Sequence, residues 1–242
     1  MSTLPGPAEY AEHHDDHHHR DVSGGALRAA TFGAMDGLVT NIALIAGVGG
    51  GGADRHVIIL TGMAGLVAGA FSMALGEFAS VQTQNDAVAG EVALERAELA
   101  RHPKAEEAEL VDMYREMGLT RETAEAVARE VHADPELALK VHVTQELGVD
   151  PDEQPSPWTA ALSSFVCFAV GGIVPLISFL LGSASLVLAL VVGAVGLFAV
   201  GAVTSRFTDK PWWFAGARQL LFGTIAAGAT FLVGSLIGVG AA

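Results

Sequence analysis

Five apolar stretches dominate the chain, and each is long enough to cross a bilayer as a helix. A crossing needs about 20 residues with few charges. The stretches lie at roughly residues 30–50, 57–79, 159–181, 184–204 and 219–241. This pattern predicts an all-α, polytopic membrane protein with five transmembrane helices. The first two occupy residues 29–85 and the last three occupy residues 159–242.

The polar insert between the second and third spans, residues 86–150, is also predicted to be helical. The second span has no stop at the membrane edge, because the sequence from Glu77 to about Ala100 contains no proline. One long helix should therefore project from the membrane. Residues 151–158, which contain three prolines, are predicted to be a stiff linker back into the membrane.

Standard start and stop signals divide the rest of the insert into three helices. Pro103 begins the first of them, which should end at Gly118. Thr120 can cap the second. Asp134, followed by proline and glutamate, is a strong N-cap for the third, and Gly148 is the matching stop.

Composition and charge narrow the function. The chain has 242 residues, 51% of them hydrophobic, and its mean hydropathy is +0.43, which is typical of a membrane protein. The segment from Asp86 to Glu153 holds 18 of the 27 acidic residues and 7 of the 13 basic ones, a net charge of −11. Such an acidic module excludes nucleic acid as a natural partner and favours cations.

The distribution of basic residues predicts the orientation. Lysine and arginine concentrate in the short loops on the cytosolic side of a membrane. One side of the membrane holds the turns between spans one and two and between spans three and four, and its only basic residue is Arg55. The other side holds the N-terminus, the insert and the loop between spans four and five. Its basic residues are Arg20, Arg28, Arg96, Arg101, Lys104, Arg206, Lys210 and Arg218. The N-terminus and the insert are therefore predicted to be cytosolic, with the C-terminus outside.

Residues 1–28 are predicted to be a disordered, histidine-rich cytosolic tail. Five histidines lie between His13 and His19, interrupted by two aspartates. The run is consistent with weak metal capture and equally with a solubilising tail.

Three pairs of potential metal ligands occur in the insert at spacings that share one helical face. They are Glu95 with Glu98, Glu106 with Glu109, and His142 with Glu146. The break at Pro103 could fold the first two pairs toward each other. Carboxylates with one imidazole suit Fe²⁺ or Mn²⁺ better than Cu⁺. The alternative is a solvated acidic face, which explains most runs of acidic residues.

A second group of candidates lies in the membrane. Asp36 interrupts an apolar run, and a carboxylate in hydrocarbon costs several kcal/mol, so it is a candidate for an ion or proton path. Asn41 follows on the same span, and Met73 and Glu77 lie four residues apart on the second. Core or lipid packing is the alternative role for Met73, and Glu77 could lie at the headgroup level.

Two N-terminal motifs resemble the vacuolar iron transporter family. They are Asp36-Gly-Leu-Val-Thr and the segment Gly65–Ser80, which contains Ser72-Met-Ala-Leu-Gly-Glu-Phe78. Gly172-Ile-Val-Pro-Leu and Arg218-Gln-Leu-Leu-Phe-Gly-Thr extend the likeness, which runs from about Ala26 to the end of the chain.

The resemblance implies a homodimer with five spans per subunit, a cytosolic helical metal-binding domain and proton-coupled export of Fe²⁺, often with Mn²⁺ tolerated. In that family the aspartate and methionine that match Asp36 and Met73 line the translocation path. The cytosolic glutamates of the family match Glu95, Glu98, Glu106 and Glu109. No organic cofactor and no enzymatic activity are implied.

The last helix of the insert departs from the family pattern. Plant members place a methionine and two glutamates there, whereas this chain keeps Glu146, with His142 near the methionine position and Val143 where a glutamate is expected. The metal preference of the site is therefore open. The short, glycine- and alanine-rich chain resembles a bacterial member, for which export across the cytoplasmic membrane would replace storage in a vacuole.

Two other functions use the same residues. A carboxylate-bridged oxidase would bind pairs of iron ions, but the E-x-x-H motifs that favour it are missing from the sequence. A membrane-anchored metal sensor would keep the acidic cluster and would have no need for Asp36.

Overall fold

The computed structural model describes residues 25–152, 154–207 and 209–240. Within these ranges the chain forms eight α-helices. They are α1 (Gly25–Gly50), α2 (Arg55–Arg101), α3 (Pro103–Glu116), α4 (Arg121–Val131), α5 (Pro135–Leu147), α6 (Pro157–Leu180), α7 (Leu186–Thr204) and α8 (Trp212–Gly240). Five of these, α1, α2, α6, α7 and α8, are long and apolar enough to span a membrane. The all-α prediction with five spans is confirmed.

Two helix boundaries differ from the prediction. Helix α1 begins at Gly25, so residues 25–28 belong to it and not to the predicted tail; residues 1–24 of that tail lie outside the described residues. Helix α8 begins at Trp212 instead of residue 219, because the Pro211 carbonyl accepts the first backbone bonds of the helix. The prediction places the start of this span after Arg218, because a charged residue lowers the local hydropathy.

Helix α1 is the centre of the membrane bundle, since it packs against α2, α6, α7 and α8. Its most extensive contact is with α6, and glycines bring the two backbones together. A Cβ atom on Gly37 would overlap the Phe168 carbonyl oxygen, and one on Gly171 would overlap the Ala34 carbonyl oxygen. Small residues at such positions let membrane helices approach closely.

Helix α2 serves two regions of the protein. Its 47 residues make a rod about 70 Å long, more than twice the length that a bilayer core requires. The segment between Arg55 and Glu77 contains no aspartate, glutamate, lysine or arginine, whereas six acidic or arginine residues lie from Asp86 to Arg101. The N-terminal half therefore spans the membrane and the C-terminal half extends into the insert.

The insert folds as predicted from its start and stop signals. Thr120 accepts a bond from the Thr123 backbone N–H, and Asp134 accepts from two backbone N–H groups of α5. Gly148 ends α5 in the left-handed conformation, with φ of 66°. A small core joins the insert helices to one another, formed by the buried residues Leu110, Ala128, Val131 and Ala138.

The insert lies at the same end of the bundle as the start of α1. The Ser163 hydroxyl donates to the Ala26 carbonyl, and Asn85 donates to the Pro155 carbonyl. Three exposed tryptophans lie in the first turns of α6 and α8 at this end: Trp158, Trp212 and Trp213. Tryptophans commonly lie at the headgroup level of a membrane, and a position there would suit these three.

Candidate metal-binding site

The buried side chain of His142 on α5 is the centre of a carboxylate cluster. Its Nδ1 atom lies 3.2 Å from Oε1 of Glu95 and 3.2 Å from Oε1 of Glu146. Oε2 of Glu106 lies 3.9 Å away. Glu95, His142 and Glu146 each offer a ligand atom, and these atoms lie within 4.8 Å of one another. Two carboxylates and an imidazole in this arrangement could hold a divalent cation.

One oxygen of the cluster has no hydrogen-bond partner. His142 Nδ1 is in hydrogen-bond geometry with Glu146, but Oε1 of Glu95 is buried and accepts no hydrogen bond from any described residue. An unsatisfied buried acceptor costs about 1–3 kcal/mol, and more when it is charged. A cation bound beside Nδ1 would satisfy this oxygen.

The electrostatics of the cluster favour a cation or a proton. Burial, followed by the neighbouring charge of Glu146, raises the pKa of Glu95. Burial and the charge of Glu109 raise the pKa of Glu106. His142 opposes both shifts. Mutual repulsion and desolvation therefore destabilise the ionised carboxylates, and a bound cation or proton would relieve both effects.

A one-residue break between α2 and α3 brings the glutamates together. His102 is non-helical, with φ of −129° and ψ of 45°, and it lies between Arg101 at the end of α2 and Pro103 at the start of α3. The first turn of α3 then carries Glu106 to the face of α2 that holds Glu95. The chain therefore folds back at the break before Pro103, and α3 turns toward α2.

Glu98 and Glu109 lie farther out than Glu95 and Glu106. Glu98 is engaged with His102, whose Nδ1 atom is 2.9 Å from Oε2, and with Arg101 at 3.7 Å. Glu109 is exposed, although its charge raises the pKa of both inner glutamates. These two residues form the outer edge of the cluster.

His132 is not among the residues predicted from the sequence, yet it contacts Nε2 of His142, the ring nitrogen on the side away from the glutamates. The Nε2 atoms of the two rings are 3.1 Å apart, and the rings meet edge to face with an interplanar angle of 79°. His132 follows the last residue of α4, and the turn from α4 to α5 folds it against His142. Two histidines ten residues apart, on either side of a short turn between helices, are the sequence signal that could have identified this contact.

In the membrane, Asp36 and Asn41 lie on the central helix α1. Asp36 is half-buried and accepts a hydrogen bond from the Thr40 hydroxyl at 3.3 Å. Asn41 is fully buried, and its amide donates to the Gly172 carbonyl of α6 at 2.7 Å. Its Oδ1 atom has no hydrogen-bond partner among the described residues. Asn41 thus connects α1 to α6 and leaves one acceptor unsatisfied.

Met73 and Glu77 are partly buried on α2. Glu77 forms an ion pair with Arg28 of α1, in which Nη2 and Oε2 are 3.1 Å apart. The arginine side chain is 68% exposed and that of the glutamate 13%. No local sequence pattern indicates this pair, because the two residues are 49 positions apart. The ion pairs of the described residues do not include Asp36.

Comparison with known proteins gives one consistent match. A family model described as the VIT family matches residues 27–235. The chain is 27% identical to "Vacuolar iron transporter 1" of Arabidopsis thaliana, over 98% of this chain and 95% of that protein. It is 27% identical to the Oryza sativa subsp. japonica protein of the same name, over 94% and 93%. It is 34% identical to the "Vacuolar iron transporter" of Acanthamoeba castellanii, over 78% and 73%.

Proposed function

The chain belongs to the VIT family, and from this membership we propose that it exports Fe²⁺ from the cytosol in exchange for protons, with Mn²⁺ as a second substrate. Members of the family are transporters, so metal-ion transport rather than catalysis is the activity of this chain. Substrate range, direction and proton coupling are the parts that we propose.

The unsatisfied Oε1 atom of Glu95 beside Nδ1 of His142 is the observation that carries the proposal. Divalent iron and manganese bind well to carboxylates supplemented by one imidazole. The cluster of Glu95, Glu106, His142 and Glu146 is proposed to gather the metal, with Glu98 and Glu109 as outer charges that raise the local concentration of cations.

Asp36 is proposed to receive the ion within the bundle, with Met73 as a soft neighbour and Asn41 as an amide ligand. Support comes from the position of Asp36 on the central helix and from its hydrogen bond to a neutral hydroxyl. A carboxylate that a metal ion and a proton occupy in turn couples their movements. Asp36 and Glu77 are the proposed proton carriers, and Glu77 must first separate from Arg28.

The insert and the N-terminus are proposed to face the cytosol. Arg28, Lys210 and Arg218 lie at the insert end of the bundle, and the opposite end carries Arg55. This asymmetry supports the orientation through the rule that short cytosolic loops are basic. Export across the cytoplasmic membrane follows for a bacterial member.

A homodimer is proposed as the working unit. Three large apolar side chains of the insert are exposed in a single subunit: Leu94 at 56%, Met117 at 57% and Leu137 at 43%. A second subunit that covered these side chains would remove their apolar surface from water, which is favourable. The exposed faces of α7 and α8 are apolar and are suited to lipid or to a second subunit.

Reconstituted vesicles test the proposal. Purified protein in liposomes should move Fe²⁺ under anaerobic conditions, faster when protons are more concentrated on the side opposite the metal. Mn²⁺ should compete. Uptake that is independent of the pH difference would refute proton coupling, and a chain that binds Fe²⁺ without moving it would be a sensor.

A further inference from the structure

We propose that His132 is a positioning residue for metal binding: it accepts a hydrogen bond from Nε2–H of His142 and thereby directs the lone pair of Nδ1 toward the glutamates. The inference rests on the proposed metal site and deepens it. It is carried by the 3.1 Å contact between the two Nε2 atoms and by the complete burial of His142.

The chemistry of imidazole makes the contact directional. A neutral ring has one N–H donor and one bare acceptor nitrogen. The 3.1 Å distance between the Nε2 atoms requires that one of them carries a proton and the other does not. Two protons would collide, and two lone pairs would repel each other.

The position of Nδ1 fixes which ring donates when metal is bound. Nδ1 of His142 faces Oε1 of Glu95 and of Glu146, at 3.2 Å from each. To bind a metal ion it must lose its proton, so the proton of the neutral ring must be on Nε2. Nε2 of His132 is the atom placed to accept that proton in a hydrogen bond.

The competing tautomer cannot bind metal. With the proton on Nδ1, His142 donates to Glu146 and has no lone pair in the cluster. His132 offsets this competition by stabilising the other tautomer. A hydrogen-bonding partner on the far nitrogen of a ligating histidine typically contributes 10- to 100-fold to metal affinity.

Three variants of the full chain in detergent micelles separate this role from packing. His132→Leu removes the acceptor, His132→Gln supplies an amide oxygen in its place, and His56→Leu is an exposed control on α2, outside the insert. Anaerobic Fe²⁺ titrations should give a Kd about 10- to 100-fold weaker for His132→Leu. The Gln variant should recover most of that loss, and the control should bind as the unmodified protein does.

The ring nitrogens can also be observed directly. In unmodified protein labelled with ¹⁵N-histidine and loaded with diamagnetic Zn²⁺, the His142 signals, assigned by their loss in His142→Ala, should show metal on Nδ1 and a proton on Nε2. Metal on Nε2, or a protonated Nε2 on His132 in the loaded state, overturns the proposal even if the Leu variant fails to fold.

The outcomes distinguish this proposal from the proposed metal site. Unchanged Fe²⁺ affinity in His132→Leu overturns the role of His132 alone. Equal weakening in the Leu and Gln variants shows that packing and not the acceptor matters, which also overturns it. Unchanged affinity in His142→Ala would instead refute the metal site itself.

Discussion

Nη2 of Arg28 lies 3.1 Å from Oε2 of Glu77 and joins the start of α1 to α2 at the end of the bundle that carries the insert. The arginine is largely exposed, and the glutamate side chain is largely buried. On the proposed route from the insert into the bundle, a cation would meet this pair, in which the positive charge of Arg28 lies beside the carboxylate of Glu77.

Arg28→Gln should lower the KM for Fe²⁺. The substitution leaves the negative charge of Glu77 uncompensated, and a cation is then attracted more strongly to this end of the bundle. The expected change is about threefold, the size of an exposed ion-pair interaction. Arg28→Lys, which keeps the charge, should retain the original KM. An unchanged or higher KM in the Gln variant would exclude Glu77 from the entry route.

The glutamates of the cluster should matter through their placement and not through their total charge. The test variant changes Glu95, Glu98, Glu106 and Glu109 to glutamine. A charge-matched control changes four exposed glutamates elsewhere in the insert, namely Glu91, Glu116, Glu122 and Glu130. The test variant should bind Fe²⁺ at least about 100-fold more weakly, since several ligands are lost.

The control quadruple should bind Fe²⁺ within about threefold of the unmodified protein, because long-range attraction alone is screened by salt. Isothermal titration on both variants measures the difference. If the two variants weaken binding equally, the acidic insert acts only as a diffuse negative surface.

The affinity for Fe²⁺ should decrease on acidification, and the decrease should begin at a higher pH than it would for carboxylates of ordinary pKa. Burial and neighbouring carboxylates raise the pKa of Glu95 and of Glu106 above the usual 4.5. As the pH falls from 7 toward 4.5, these groups take up protons first, and protons then compete with the metal. The expected loss approaches about tenfold per pH unit for each proton displaced.

Titrations of Fe²⁺ at pH 7.5, 6.5 and 5.5 check this direction. Glu95→Gln should bind more weakly and show a shallower dependence, because one competing proton site is gone. Glu122→Gln, which is exposed and outside the cluster, should follow the unmodified curve. Affinity that stays constant down to pH 5.5 would contradict the role of the buried pair.

The elements of this protein were predictable from the sequence, because their signals are local. The five spans follow from hydropathy, and the caps at Thr120 and Asp134 and the stop at Gly148 follow from residue type. The start of α8 was predicted too late, since Arg218 lowers the hydropathy of a segment that nevertheless continues the helix.

The contacts of the candidate site depend on pairs that are distant in sequence. Their spacing identifies Glu95, Glu106 and His142 as candidates. The break at His102 explains how Glu95 and Glu106 come to lie near His142. No local pattern pairs Arg28 with Glu77. Such contacts arise when helices pack, which hydropathy and capping signals in a single sequence do not encode.

Asp36 is the residue on which the transport account depends most. Asp36→Asn keeps the shape of the side chain and removes the charge that a metal ion and a proton are proposed to share. Thr40→Val is the matched control, since it removes the hydrogen bond at 3.3 Å and keeps the carboxylate. Both variants should retain the Fe²⁺ affinity of the insert, which shows that they are folded.

Simultaneous recording of Fe²⁺ and proton fluxes in anaerobic proteoliposomes, with and without Asp36→Asn, is the most direct measurement. The unmodified protein should move the two ions in opposite directions at a fixed ratio, and Thr40→Val should do so at a reduced rate. Asp36→Asn should lose both fluxes together. Fe²⁺ movement at the original rate in Asp36→Asn would contradict the account.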